Sequence, residues 1–249
     1  MNHATAPSPR LYRPGDSAGS RSNGPLQDPA WHSPQVWTSY PFRLGFFGVT
    51  VGVLYHFVAE AVVSEGPSIG REGGPIENAQ AIAAALAAAM FVIAAIRTRL
   101  GVVGLATCAA VTAYAAGRES DALFETLFFD DAYKYLVGLP AVVALAFVAW
   151  RHRFTAWRET LTLLNHPAAT LFILAGIYLA FVCQTLDRPL MWPQLTSESG
   201  ENRVLIEETV ELFAYLTMAF SASESIWFAQ STRVQTVESG VRETFQEAA

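Results

Sequence analysis

Long apolar blocks separated by short polar segments make up most of the sequence after its polar N-terminal region. A membrane-spanning helix needs about 20 mainly apolar residues, because each residue adds about 1.5 Å along the helix axis. Six blocks approach that length, and they cover residues 44–63, 79–96, 100–116, 135–150, 168–186 and 204–229. The four middle blocks contain no Asp, Glu, Lys, Arg or His, although a soluble helix with one face in water would carry such residues. The pattern therefore predicts an all-α fold, a polytopic membrane helix bundle with six transmembrane helices.

The polar regions at the two ends of the chain are expected to lie outside this bundle. Residues 1–42 are rich in Pro, Ser, Gly and Asn, a composition that does not bury a core, so we expect them to be disordered or ordered by a partner. Residues 231–249 form a short polar C-terminal tail. The transmembrane domain is expected to cover residues 43–230.

The distribution of basic residues predicts the orientation of the bundle. With the N-terminus in the cytoplasm, 11 of the 16 Lys and Arg residues fall on the cytoplasmic side, as the positive-inside rule requires. Both termini are therefore expected in the cytoplasm, and the acidic residues then lie mainly on the outer face. The alanine-rich composition is typical of small multi-pass bacterial membrane proteins, which predicts a location in the bacterial inner membrane.

Composition and charge limit the partners of the chain. Only 15% of the residues are charged, against about 25% in soluble domains. The 22 acidic and 16 basic residues give a net charge of −6, whereas a nucleic-acid binder needs a basic face. We therefore expect the lipid bilayer as the main partner, with other membrane protein subunits as further partners and no nucleic acid.

The segment between the fourth and fifth blocks has an amphipathic pattern of its own. Apolar residues recur there at helical spacing among arginines: Phe154, Trp157, Leu161 and Leu164. Such a pattern predicts a short helix that lies on the membrane interface.

Ionisable side chains occur only in the first and last of the six blocks. They are costly in lipid, about 2.5–3.5 kcal/mol each at a helix centre, and usually face a cavity or a partner. His56 and Glu60 are four residues apart and share one face of the first helix, as Glu207 and Glu211 do on the last. The orientation above places all four at a similar depth near the outer boundary. They are therefore candidate ligands for a divalent metal ion.

Further polar residues are expected at the same level of the bundle, and Glu119 follows Arg118, one of these residues, directly in the sequence. These residues are Glu77, Gln80, Arg118, Asp187 and Glu208. Together they form a predicted polar cluster that binds a cation, relays protons or receives a partner.

Two structural interpretations of these residues stay open. Acidic residues in the first turn of a helix are favoured by the helix dipole, so Glu207 and Glu208 are also explained as solvated N-terminal residues. His56 and Glu60 are also explained as a pair bonded to each other, or to Arg118 or Arg203, that holds the bundle together.

No recognised catalytic motif accompanies these side chains: no GxSxG surrounds Ser221, Ser223 or Ser225 in the last block, and the sequence has no phosphate loop and no CxxC. We therefore expect a non-enzymatic membrane protein whose outward-facing acidic cluster binds a cation or proton or docks a partner, within a larger membrane assembly. The alternative is a membrane-embedded, metal-assisted hydrolase acting on a lipid at the outer leaflet, with His56 and Glu211 as ligand and acid-base candidates. A secondary transporter is less favoured, because the blocks show no repeated halves.

Overall fold

The computed structural model describes residues 39–71, 73–98, 101–186 and 200–247. These residues are helical apart from short connections, and none of them forms a strand. The chain divides into two compact units, Met1–Gly45 and Phe46–Ala249, and the contacts reported below lie within the second unit. The helices are α1 Tyr40–Glu65, α2 Pro75–Arg97, α3 Val102–Glu119, α4 Asp121–Leu127, α5 Lys134–Arg151, α6 Ala156–Leu164, α7 Pro167–Leu186 and α8 Gly200–Glu247.

Four of these helices, α1, α2, α5 and α7, are long and apolar enough to cross a membrane. The six apolar blocks of the sequence lie in helices, except for Gly101, which precedes α3, and residue 100, which is outside the described residues. Composition separates α3 and α8 from the other four, since α3 ends in Arg118 and Glu119 and α8 carries several glutamates. By length and composition, the described part of the protein therefore has four candidate membrane spans.

Large apolar side chains cover the outside of these candidate spans. On α1 the exposed fraction is 68% for Phe46 and 60% for Phe57, and on α5 it is 62% for Phe147. Soluble proteins rarely expose contiguous apolar surface of this kind, whereas lipid tails accept it. The helices are therefore suited to contact with a lipid bilayer.

The centre of the second unit is α8, which packs mainly against α2 and α7. Tyr215 of α8 is 1% exposed, and the alanines that α2 presents to the core, such as Ala84 and Ala94, are fully buried. Small side chains let the helix backbones approach closely, which is how helices gain packing energy in lipid. Phe91 of α2 meets Phe172 of α7 edge to face, with 5.4 Å between the ring centroids.

One face of α1 contacts α8, and the rest of the helix is exposed, since no residue of α1 is buried. Phe47 stacks on Phe220 of α8 with 4.5 Å between the ring centroids. The Tyr55 hydroxyl donates to the main-chain oxygen of Thr209 at 2.5 Å. These contacts fix the rotation of α1 about its axis.

The predicted short helix between the fourth and fifth blocks is present as α6. Its buried side chain Leu163 packs on the first turn of α3, where two glycines make room for it. A Cβ on Gly104 would lie 2.7 Å from Leu163 Cδ2, and a Cβ on Gly101 would lie 3.2 Å from Leu163 Cβ. The opposite face of α6 is exposed, with Trp157 at 76%.

Candidate functional site

A fully buried amide joins the beginning of α2 to the beginning of α8. Gln80 Nε2 donates to the main-chain oxygen of Glu208 at 2.7 Å and to Glu208 Oε2 at 2.8 Å. Both partners are acceptors, so the nitrogen of the amide must face Glu208. Gln80 is 0% exposed, and its Oε1 has no hydrogen-bond partner among the described residues.

A second polar contact joins α8 to the end of α3. The buried Tyr215 hydroxyl donates to Glu119 Oε1 at 2.7 Å. The neighbouring Arg118 guanidinium interacts electrostatically with Glu119, with Tyr215 and with Glu211, whose exposed fraction is 6%. Glu211 in turn interacts with Glu119 and Glu208. The two contacts are therefore parts of one electrostatic unit.

We call this unit the carboxylate cluster. It consists of Gln80, Arg118, Glu119, Glu208, Glu211 and Tyr215. Acidic neighbours surround it, because Glu77 interacts with Glu119 and Glu208, and Glu207 interacts with Glu208 and Glu211. From the π-helical part of α7, buried Cys183 approaches Glu211.

The cluster carries more negative than positive charge. Its three carboxylates are those of Glu119, Glu208 and Glu211, and its one guanidinium, that of Arg118, interacts with Glu119 and Glu211. In surroundings of low dielectric, like charges a few ångströms apart are strongly unfavourable unless a proton or cation compensates them. The arrangement is therefore suited to binding positive charge.

Most of the residues predicted to share a level do come together. Gln80, Arg118, Glu208 and Glu211 are in the cluster, and Glu77 and Glu207 lie next to it. Asp187 lies outside the described residues.

The His56–Glu60 pair lies on the exposed face of α1, not on the face of this helix that contacts α8. His56 Nε2 lies 3.3 Å from Glu60 Oε1, and the two side chains are 68% and 66% exposed. Tyr55, one residue earlier and about 100° away around the helix, is the side chain that reaches α8. His56 and Glu60 thus contact each other on the exposed side of α1.

The four candidate metal ligands are consequently divided between two places. Glu207 and Glu211 lie at or next to the cluster, whereas His56 and Glu60 are on the exposed face of α1. Among the described residues no group of three or more His, Cys, Asp or Glu side chains has a geometry that holds a metal ion.

Sequence reasoning did not identify Tyr215 as a member of the site. Its spacing contains a signal, because Glu208, Glu211 and Tyr215 follow each other at intervals of three and four residues and so share one helix face. A tyrosine in an apolar segment is, however, just as typical of packing or of the membrane interface.

Comparison with the known protein families, with curated proteins and with solved structures gives no match for this chain. The interpretation of the carboxylate cluster therefore rests on its own geometry and chemistry.

Proposed function

We propose that the chain is a non-enzymatic integral membrane protein whose carboxylate cluster binds a proton or a hard cation through oxygen atoms. In this proposal α3 and α8 cross the bilayer together with α1, α2, α5 and α7, which gives six spans. Both termini are cytoplasmic, the cluster lies near the outer side, and the membrane is the bacterial inner membrane. The polar side chains of α3 and α8 are directed at one another across the core, which is how charged residues are accommodated inside a bundle.

The observation that carries the proposal is the unsatisfied acceptor of Gln80 beside the excess carboxylates. A buried acceptor without a partner costs about 1–3 kcal/mol, and native structures seldom retain one. Its Nε2 is already used on Glu208, so only a donor or a cation satisfies Oε1. A bound proton donor or a hard cation would satisfy this oxygen and compensate the carboxylates at the same time.

The experiment measures how protons and cations stabilise the purified full chain in detergent micelles. A ligand that binds the folded state alone raises stability by about 2.7 kcal/mol at a concentration of 100 Kd. We expect the thermal unfolding midpoint to rise with one of Na⁺, K⁺, Mg²⁺ or Ca²⁺, or with acidification. An unchanged midpoint in every cation and throughout the pH titration would refute the proposal.

Two matched variants locate the effect. Glu211→Gln keeps the shape of the side chain but removes a buried carboxylate of the cluster, so the stabilisation by the cation or proton should be lost. Glu60→Gln makes the same chemical change on the exposed face of α1 and should keep it. Loss of the stabilisation in Glu60→Gln but not in Glu211→Gln would place the bound charge at α1 and contradict the proposal.

A second candidate function is docking of another membrane subunit at α1. The His56–Glu60 pair favours it, because an exposed polar pair within an apolar span is costly in lipid and is stabilised by a polar partner. Crosslinking of the intact membrane through a cysteine at position 56 tests this function, and a crosslinked product of defined mass is expected. No observation favours the hydrolase in the same way, since His56 lies on the exposed face of α1 whereas Glu211 is buried in the carboxylate cluster.

A further inference from the structure

An apolar groove lies between α2, α3 and α5, at the opposite end of α2 from the carboxylate cluster. Its volume is about 420 Å³, and each of its lining residues is Ala, Val, Leu or Ile. The groove exists because the facing side chains are short, as with Ala89 of α2, Ala110 of α3 and Ala144 of α5. The groove is open on the outside of the helices, since its lining residue Val92 is 46% exposed.

Two of the helices that line this groove, α2 and α5, end in an arginine. Ile96 lines the groove and is followed by Arg97, the last residue of α2; Val148 lines it one turn before Arg151, the last residue of α5. Both arginines are exposed, and neither forms a salt bridge within the described residues. The lining of the groove is therefore apolar, and two of the helices that form it, α2 and α5, each end in an exposed arginine just beyond the lining residues.

The level of the membrane interface is indicated independently by α6. This helix packs through Leu163 on the first turn of α3, which is also the end of the groove at Val102. Phe154 and Trp157 are 88% and 76% exposed beside it, and the Arg153 guanidinium lies 4.6 Å from the centre of the Phe154 ring. Exposed aromatic and basic side chains of this kind are typical of the lipid headgroup region.

We propose that this groove binds an anionic glycerophospholipid, with an acyl chain against the alanines and the phosphate paired with Arg97 and Arg151. An amphiphile with a negative head matches both parts of the groove, whereas a protein helix would leave the two guanidinium groups without a counter-charge. Arginine binds phosphate through two parallel hydrogen bonds, and basic pockets between membrane helices bind anionic headgroups. The groove volume also lies within the range of about 300–1,000 Å³ that small-molecule sites have.

The test compares phosphatidylglycerol with phosphatidylcholine as probes. Purified, delipidated full chain is reconstituted with an equal mixture of the two, extracted in mild detergent, and the lipid that stays bound is measured by native mass spectrometry. Two arginines at the headgroup level should favour phosphatidylglycerol by about tenfold or more. Equal retention of the two lipids by the wild-type protein would overturn the proposal without any variant.

Variants separate the two parts of the site. Arg97→Gln/Arg151→Gln should abolish the preference, whereas Arg71→Gln/Lys134→Gln removes two cationic side chains near the opposite ends of the same helices and should leave it intact. Ala144→Leu fills the groove at an exposed position and should lower the retention of both lipids. An unchanged preference in the Arg97 and Arg151 double variant would show that these arginines only complement the helix dipoles. Full retention of both lipids by Ala144→Leu would show that the groove does not hold the acyl chain of the lipid.

Discussion

The hydroxyl of Tyr215 donates to Glu119 Oε1 at 2.7 Å and thereby joins the central helix α8 to the end of α3. Tyr215 is almost fully buried, so water does not replace this bond easily when it is lost. Since Arg118 interacts with both residues, the contact also fixes the charge distribution on this side of the carboxylate cluster.

Replacement of Tyr215 by Phe is the first prediction. The variant keeps the buried ring but leaves the Glu119 carboxylate without its donor, so the free energy of unfolding should fall by about 1–3 kcal/mol. Unfolding in mixed micelles with increasing SDS measures this change. Tyr135→Phe is the matched control because Tyr135 is 61% exposed, and its effect should stay within about 0.5 kcal/mol. Equal effects of the two substitutions would mean that the bond to Glu119 contributes nothing.

Gln80 provides the second prediction, which concerns the cation or proton and not the fold. Gln80→Met has a similar length but lacks both the donor to Glu208 and the unsatisfied oxygen. If Oε1 is a ligand of the bound charge, the stabilisation by the cation or by acid should disappear in this variant. The measurement is the shift of the thermal unfolding midpoint, with Asn78→Met on the exposed side of the same helix as the control. A variant that keeps the full shift would remove Gln80 from the binding site.

The helical architecture could be predicted because membrane segments must satisfy their own backbone hydrogen bonds, so long apolar blocks form helices. The depth of a side chain also follows from the sequence, since every residue adds a fixed rise. For this reason Gln80, Arg118 and Glu211 could be assigned to one level. In the structure Gln80 bonds to Glu208, and Glu211 interacts with both Glu208 and Arg118.

The rotation of each helix could not be predicted in the same way. It depends on which side chains pack best against the neighbouring helix, and a change of one residue turns the contact by about 100°. Tyr55 meets α8, whereas His56 lies on the exposed face with Glu60. The sequence therefore identified several residues that belong to the carboxylate cluster, but it did not separate the α1 pair from it.

The burial of α8 could not be predicted from its composition either. The glutamates of α8 lower its mean hydropathy, so α8 is not among the candidate membrane spans. Of the described helices, α8 nevertheless has the largest number of buried side chains. The polar groups of α8 are directed at α2 and α3, as in the contacts of Glu208 and Tyr215. Such internal contacts do not show in a composition average.

The third prediction concerns the contact between α6 and α3. Gly101 has φ = 73°, a left-handed conformation that costs a residue with a Cβ about 1–2 kcal/mol, and the added Cβ would also press on Leu163. Gly101→Ala should therefore loosen α6, which hydrogen–deuterium exchange would detect as faster exchange of the amides of residues 156–164. Gly176→Ala lies in the middle of α7 with open space around it and should leave this exchange unchanged. Unaltered exchange of α6 in Gly101→Ala would contradict the packing described for Leu163.

The fourth prediction is a pH dependence in α4, outside the membrane-spanning segments. A hydrogen bond with Asp130 raises the pKa of Glu125, and the negative charge of Asp121 raises this pKa further. Because the folded state favours the neutral form of Glu125, the contact stabilises the α4 region at low pH and is lost as the pH rises through the raised pKa. A ¹³C NMR titration of the Glu125 carboxyl in micelles should give a midpoint above the value of about 4.3 for an unperturbed glutamate. Asp130→Asn should lower this midpoint, and Glu60→Gln should leave it unchanged. A wild-type midpoint at or below the unperturbed value would show that the two carboxyl groups do not share a proton.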